Sequence, residues 1–500
     1  MARTRDDEVK FSWSQFWISF LYENLPPVFV SPFAVLMVER SWKRTWNICH
    51  NRGLFAISTK AVSPSMLRRM WFMIFPGSWL ITIGLLIALF ADPADLPNID
   101  TIQVVLAYSM LVVRRLIIAT KYGFFSEQDF EALAEDAPYW DFDKTQRRLI
   151  FQGWARPRDF PGLLDTEMRN AKTQTGLAID EMTVETGGDK PAKLVDIVEA
   201  IVTDVYAETP ANRVSQFVTL STLLLLFAVV YSRVTGGNPI FGDNALEVIV
   251  SLSVFASILV ATNIFGFALM CGFDFRRRQK LCELFQDALL PPGIQLDDSD
   301  GKSMTIFFDK HSPNCVDGWV QGRNVARAFG YRYFGRVQSY TSILIAYAGL
   351  CLGLLNIITW TQLAHHKSTI VMAGVMIVFI TGTATYAMQR AIALQRASYL
   401  QRGSIQDELL SLEVEIAVLR RSGKDNDELE SLLAAKALLQ QVDENVNFEE
   451  LVFRPTTILG NKADGTLIGS ILSIIITGAL LSLQGFASTG MGYDPMGWFR

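Results

Sequence analysis

Long apolar stretches, almost free of charge, alternate with polar segments along the whole chain. Each stretch holds about 20 residues, the length that an α-helix needs to cross the ~30 Å hydrocarbon core of a bilayer. The stretches are residues 71–91, 102–120, 214–231, 248–270, 340–360, 370–388 and 467–483. The pattern predicts an all-α, polytopic protein with seven transmembrane helices.

These spans divide the chain into membrane pairs and long connections. The predicted segments are an N-terminal region with an interfacial aromatic helix (1–69), the first span pair (70–120), a long connection (121–213), the second pair (214–272), a long connection (273–337), the third pair (338–388), a helical hairpin (389–465), the last span (466–486) and a tail (487–500). The aromatic helix either lies at the membrane interface or packs on the bundle. The hairpin either assembles subunits or closes on its own chain.

Basic residues are distributed unevenly between the connections. The short connections 92–101, 232–247 and 361–369, together with the tail, contain only three of the 45 lysines and arginines. Because positive residues beside spans remain in the cytoplasm, the N-terminus and the long connections are predicted to be cytoplasmic. The odd number of spans then places the C-terminus outside the cell.

The second span contains two charged residues, Arg114 and Arg115. If they lie at its cytoplasmic end, their side chains can extend to lipid phosphates. If they lie deeper, they are membrane-embedded charges that face a polar cavity or an acidic partner. Both arrangements are compatible with the sequence.

Composition excludes several classes of protein. Hydrophobic residues make up 50% of the chain and charged residues 19%, below the roughly 25% of soluble domains. The net charge of −5 does not suggest nucleic-acid binding. The five cysteines form no C-x-x-C pair, and none of the common hydrolase, nucleotide-binding or metalloprotease motifs is present. We therefore expect no enzymatic activity, no cofactor and no metal site.

The last span carries the most suggestive polar pattern. Small and hydroxylated residues recur among its isoleucines and leucines, and Ser470, Ser473, Thr477 and Gln484 are the candidate pore-lining residues. Hydroxyls and amides can line an aqueous pathway. Carboxylates are absent from the middles of the predicted spans, which disfavours proton-driven transport.

The end of this span also suggests a family. Thr477 and Gly478 are followed by five residues (479–483), then Gln484, Gly485 and Phe486. Together with seven spans and a cytoplasmic N-terminus, this resembles the insect odorant and gustatory chemoreceptors, and more closely their gustatory-receptor-like relatives in protists, algae and plants. The family pattern has tyrosine where Gly478 stands, and its phenylalanine comes one residue earlier.

The resemblance implies a homotetrameric, ligand-gated cation channel in the plasma membrane. The seventh helix lines the central pore in that family, and a small-molecule ligand binds among the other spans. Two different functions remain compatible with the residues themselves. One is a transporter of a small apolar or lipid-like solute, and the other is a membrane scaffold that recruits partners through the hairpin.

Overall fold

The fold is described from a computed structural model of the chain. The described residues are 11–22, 43, 80–123, 179, 182–184, 191–207, 211–297, 303–329, 334–361, 366–422, 426–453 and 455–488. Most of the predicted N-terminal region 1–69, the beginning of the first predicted span, most of the connection 121–213 and the tail after residue 488 lie outside them.

The described chain is mostly helical. In chain order the helices are α1 (Trp13–Tyr22), α2 (Leu80–Phe90), α3 (Thr101–Gly123), α4 (Leu194–Ala207), α5 (Ala211–Thr235), α6 (Ala245–Ala261), α7 (Asn263–Asp287), α8 (Pro313–Ala328), α9 (Phe334–Thr361), α10 (Lys367–Ser422), α11 (Asn426–Asn445) and α12 (Gly465–Ser488). A π-helical segment (Val446–Phe453) extends α11.

Six apolar runs within the described residues are long enough to cross a membrane. They are Thr101–Thr120, Gln216–Thr235, Ala245–Asp287, Phe334–Thr361, Lys367–Ser422 and Gly465–Ser482. They correspond to the second to seventh predicted spans, and α6 and α7 form the third run with a break at Thr262. The last part of the first predicted span is the shorter helix α2.

The membrane-length helices share a first hydrophobic core. The helix α7 packs along α10, while α9 lies between α3, α10 and α12. Buried side chains from α2, α3, α6, α7, α9 and α10 meet there, among them Leu85, Val104, Val254, Phe265, Leu344 and Ile380. At one end of this bundle, α1 packs against α3 through the backbone bond from Ser12 N to Gly123 O (2.7 Å), and the rings of Trp13 and Trp17 remain exposed.

The described parts of the three long connections share a second hydrophobic core. It is built by α4, α8, α11, the end of α7 and the distal half of α10. Trp319 of α8 is fully buried in it, and its indole Nε1 donates a hydrogen bond to the Phe285 carbonyl of α7 (2.7 Å). Since all three connections enter this core, they lie at the same end of the bundle, which we call the long-connection end.

One helix joins the two cores. The helix α10 has 56 residues, which corresponds to about 84 Å at the rise of an α-helix. Its first part is the sixth predicted span, and its distal part pairs with α11 as a helical hairpin within the same chain.

The prediction of an all-α fold is incomplete in one respect. Three short antiparallel strand pairs occur in the described chain: β1 (Thr183–Val184) with β2 (Ala192–Lys193), β3 (Ile294–Asp297) with β4 (Ser303–Ile306), and β5 (Thr457–Ile458) with β6 (Asn461–Lys462). In the middle pair, Ile294 and Ile306 face each other and are buried in the second core. These hairpins are too short to show a pattern of alternating hydrophobicity.

Candidate functional site

The four predicted pore residues lie on one face of α12. Ser470, Ser473, Thr477 and Gln484 follow one another at intervals of three, four and seven residues, so they occupy about one sixth of the helix circumference. All four are exposed in the single chain. This polar stripe therefore points away from the bundle of its own chain.

The other side of α12 packs on α9. Gly478 and Ser482 are buried there, and the Ser482 hydroxyl donates a hydrogen bond to Asn356 Oδ1 (3.1 Å). A Cβ atom at Gly478 would lie 2.5 Å from Leu352 Cδ2, so glycine allows the close approach of the two helices. Only 7% of the run Gly465–Ser482 is buried, which leaves most of this apolar helix without protein around it.

The N-terminus of α12 is fixed by a side-chain cap. Asp464 Oδ1 accepts hydrogen bonds from the Thr466 hydroxyl (2.5 Å), the Thr466 backbone N–H (3.0 Å) and the Leu467 backbone N–H (3.1 Å). The Thr466 hydroxyl and these amides hold the pKa of Asp464 below its usual value. The negative charge is therefore kept at the positive end of the helix dipole.

The residues that match the family pattern also lie on α12. Thr477 and Gln484 belong to the polar stripe, and Phe486 lies on the last turns of α12, with its side chain outside the described part of the structure. The intervening Gly478 belongs to the packing face rather than to the stripe.

The two arginines of the second span lie within the protein. Arg114 of α3 is buried, with 6% of its surface exposed. Arg115 is partly buried, and its Nη2 donates a hydrogen bond to the Thr82 hydroxyl of α2 (3.0 Å). Arg114 therefore points into the helix bundle rather than extending to the lipid surface.

The three short connections meet at the opposite end of the bundle from the second core, which we call the short-connection end. Glu247, at the start of α6, is fully buried. It accepts hydrogen bonds from the backbone N–H of Asn98 (2.8 Å), from the Asn98 amide (3.1 Å) and from the backbone N–H of Asp243 (2.7 Å). Gly242, with φ +100°, lies against the Glu247 side chain, and this backbone conformation favours glycine.

Arg233, near the end of α5, is buried beside this carboxylate. It donates hydrogen bonds to the Ile240 carbonyl (2.6 Å) and the Ser251 hydroxyl (2.9 Å), and its guanidinium lies 5.6 Å from the centre of the Phe255 ring. The sequence indicated only that Arg233 lies in a short connection. Its position beside an apolar run was the available signal that it is buried.

The short connection 361–369 contacts the other two short connections through His366. Asn238 Nδ2 contacts His366 Nδ1 (2.9 Å), and His366 Nε2 contacts the Pro97 carbonyl (2.9 Å). This geometry fits the tautomer that carries the proton on Nε2. Asp100 accepts hydrogen bonds from the His366 backbone N–H (3.0 Å) and the Thr369 hydroxyl (2.5 Å). Residues of all three connections are thus hydrogen-bonded to one another.

A second exposed surface lies on the distal half of α10. Leu410, Val414 and Val418 recur every four residues, and each has about 60% of its surface exposed. Leu410 lies 43 residues beyond Lys367, about 65 Å along the helix. This distance exceeds the ~30 Å hydrocarbon core of a bilayer, so lipid cannot cover these side chains if α10 enters the membrane at its N-terminus.

The described part of the chain contains no group of three or more His, Cys, Asp or Glu residues that could hold a metal ion.

Comparison with protein-family models finds no match, and comparison with curated proteins finds none either. The protein is therefore classified from its six apolar runs of membrane length, which are those of a multi-pass membrane protein.

Proposed function

We propose that this membrane protein forms a homo-oligomeric, ligand-gated cation channel of the chemoreceptor-like type, with α12 lining a central pore. The tetrameric state, the plasma-membrane location and the choice of cations follow the family resemblance. In this proposal the N-terminus and the long-connection end are cytoplasmic, and a small molecule acts as the ligand.

The polar stripe on α12 is the main support. Gln484 and the hydroxyls of Ser470, Ser473 and Thr477 face away from the bundle, and polar groups in contact with lipid tails are unfavourable. If α12 helices from several copies surround an axis, the stripe faces water and the apolar sides face protein or lipid. The weak packing of α12 within its own chain agrees with this arrangement.

The apolar face of α10 supports contact between copies. Leu410, Val414 and Val418 lie beyond the membrane in this proposal, and exposed apolar patches on aqueous domains commonly mark interfaces. A second copy of the chain is the occupant that we propose. The polar stripe independently supports the presence of further copies around the same axis.

Cysteine accessibility tests the pore. Cysteines placed singly at Ser473 and Thr477 are expected to react with a hydrophilic, charged thiol reagent and to reduce the ligand-evoked whole-cell current severalfold. The matched control is Ile476→Cys, which lies about a quarter turn from the centre of the stripe and is also exposed in the single chain. Equal effects at all three positions, or a monomeric particle in detergent together with no current under a broad ligand panel, would refute the channel.

In the scaffold hypothesis, a different protein binds the same exposed face of α10. Leu410→Glu combined with Val414→Glu leaves the buried side of α10 intact and places charge on the exposed side. For a channel, this variant is expected to reduce both the size of the particle and the current. A particle of unchanged size that loses only a co-purifying protein would favour the scaffold. Assays of the uptake of small apolar or lipid-like solutes test the transporter hypothesis.

A further inference from the structure

The polar stripe of α12 extends one turn beyond the four predicted pore residues. Thr466 lies four residues before Ser470 and seven before Ser473, so it shares their face of the helix, and it is exposed in the single chain. The Ser470 hydroxyl donates a hydrogen bond to the Thr466 carbonyl (3.0 Å). Thr466 is therefore the first residue of the stripe at the N-terminal end of α12.

A carboxylate is attached to this end of the stripe. Asp464 Oδ1 accepts a hydrogen bond from the Thr466 hydroxyl (2.5 Å), in addition to the bonds from the two backbone amides that cap α12. All three bonds go to one carboxylate oxygen, and the residue is partly exposed to solvent. The negative charge of Asp464 is thus held beside the stripe and is not enclosed by its own chain.

The N-terminal end of α12 lies beyond the depth of the lipid tails. The strand pair that leads into α12 is bound to α10, because the Lys462 side chain of β6 donates a hydrogen bond to the Tyr399 hydroxyl. Tyr399 lies 32 residues beyond Lys367, about 48 Å along α10, which exceeds the ~30 Å hydrocarbon core. If α10 enters the membrane at its N-terminus, Asp464 is therefore placed in water at the long-connection end.

The nearby cation Lys462 is directed toward its own chain. Its ammonium group lies 4.8 Å from the centre of the Tyr399 ring and donates a hydrogen bond to the Leu451 carbonyl of the π-helical segment (3.0 Å), whereas the stripe points away from that chain. The pKa of Asp464 is held below its usual value mainly by the hydrogen bond from Thr466, and the charge of Lys462 contributes less than the cap bonds. Asp464 is therefore ionised at neutral pH.

Several copies of α12 around one axis would repel cations at their N-terminal ends unless each end carried negative charge. The N-terminus of a helix has a partial positive charge of about half an elementary charge, and the proposed tetramer brings four such ends together around the cytoplasmic mouth of the pore. One full negative charge at each cap outweighs these partial charges. Rings of carboxylates are a common means by which channels select cations.

We propose that Asp464 from each copy forms a ring of carboxylates at the cytoplasmic mouth of the pore, and that this ring makes the channel select cations over anions. The inference rests on the proposed channel, and it places a selectivity residue outside both the predicted stripe and the family pattern. The Thr466 hydroxyl positions the carboxylate, and the ions that the ring attracts are small inorganic cations.

Two substitutions separate the charge of Asp464 from its role as a helix cap. Asp464→Asn keeps an oxygen that accepts the cap bonds, and asparagine caps helices about as well as aspartate does, but the negative charge is lost. Asp464→Glu keeps the charge and lengthens the side chain, which weakens the cap. If the charge selects the ion, Asp464→Asn is the damaging change. A purely structural role would make Asp464→Glu the more damaging one.

The measurement is the ratio of cation to anion permeability. It is obtained from the reversal potential of purified protein in planar bilayers, with sodium chloride more concentrated on one side and a broad panel of small molecules applied. We expect Asp464→Asn to lower the ratio at least about twofold, the low end of the range that Coulomb's law gives for four unit charges about 10 Å from an ion once salt screening is included. Asp464→Glu should keep the wild-type ratio.

The matched control is Asp427→Asn. Asp427 is also an exposed aspartate in the first turn of a helix at the long-connection end, in this case α11, and its loss should leave the ratio unchanged. A lower ratio in Asp464→Asn alone supports the ring. An unchanged ratio in Asp464→Asn, or an equal decrease in Asp464→Glu or Asp427→Asn, overturns the ring but not the channel. Absence of current from the wild type refutes both.

Discussion

The two ends of the helix bundle treat buried charge in different ways. At the short-connection end, Glu247 receives three hydrogen bonds from the neutral N–H groups of Asn98 and Asp243, and Arg233 donates to oxygens of the neighbouring helix and loop. At the long-connection end, Glu450 Oε1 pairs instead with two charged groups, Arg323 Nη2 (2.5 Å) and Arg327 Nε (3.2 Å).

This difference separates a buried carboxylate that is held by neutral donors from one that is held by charged partners. Within the described chain each end also has a buried donor without a hydrogen-bond partner, Arg233 Nε at the short-connection end and Gln395 Nε2 at the long-connection end. Removing a carboxylate that accepts several hydrogen bonds leaves those donors unsatisfied, whereas neutralising a carboxylate in an ion pair can keep its shape. The comparison therefore predicts that loss of Glu247 costs more stability than neutralisation of Glu450.

The largest effect is expected at Glu247. Glu247→Ala leaves two backbone N–H groups and the Asn98 amide without their acceptor, and it removes the negative charge beside buried Arg233. We expect a loss of about 3–5 kcal/mol in the free energy of unfolding, as for other broken buried pairs. Denaturant unfolding of the detergent-solubilised protein measures this loss.

The control for this prediction lies in the same cluster of connections. Asp95 is exposed, so Asp95→Asn should change the free energy of unfolding by no more than about 0.5 kcal/mol. If Glu247→Ala were as mild as Asp95→Asn, the hydrogen bonds to Glu247 would not be what stabilises the short-connection end.

An intermediate effect is expected at Glu450. Glu450→Gln preserves the shape of the side chain but removes the charge that pairs with Arg323 and Arg327, so we expect a loss of about 2 kcal/mol, the contribution of a hydrogen bond to a charged group. Measuring Glu247→Ala and Glu450→Gln by the same denaturant unfolding compares the two ends directly, and equal losses would contradict the comparison.

The pH dependence of the Glu450 effect provides an independent check. Because the folded-state pKa of Glu450 lies below its ordinary value, its charge contributes stability above the unfolded pKa of about 4.3. That contribution is lost as the pH falls through the lower folded-state pKa. The difference in stability between the wild type and Glu450→Gln should therefore be constant near neutral pH and shrink in acid. A difference that grows in acid would exclude this account of Glu450.

Hydropathy predicted most of the membrane helices because their signal is local. The apolar runs that correspond to predicted spans two to seven appear at nearly the predicted positions, since about 20 apolar residues have few alternatives to a helix in lipid. The region predicted as a helical hairpin (389–465) contains the distal part of α10 and the whole of α11. The polar stripe of α12 could be predicted from spacing alone, although its exposure could not.

The two charge clusters depend on contacts between distant parts of the chain. Glu247 meets Asn98 across 149 positions, and Arg323 meets Glu450 across 127. A single sequence carries no periodic signal for such pairs, so Glu247 and Glu450 were not distinguished from solvated acids. The common core of the long connections was missed for the same reason, because each connection supplies only part of its apolar surface.

The smallest effect is expected on α12, which belongs to neither cluster. Gly478→Ala introduces a Cβ atom 2.5 Å from Leu352 Cδ2, so the side chain of Leu352 or the helix itself must move. We expect a net loss of about 1 kcal/mol, because overpacking exceeds the gain in helix propensity. Gly469→Ala is the matched control on the same helix: its Cβ meets no atom within 4 Å, so the propensity gain alone should make it neutral or slightly stabilising. If the two variants shift the unfolding temperature in opposite directions, α9 and α12 pack through Gly478. Shifts in the same direction would place that contact elsewhere. Since this packing sets which face of α12 points outward, Gly478→Ala should also weaken the oligomer, and Gly469→Ala should not.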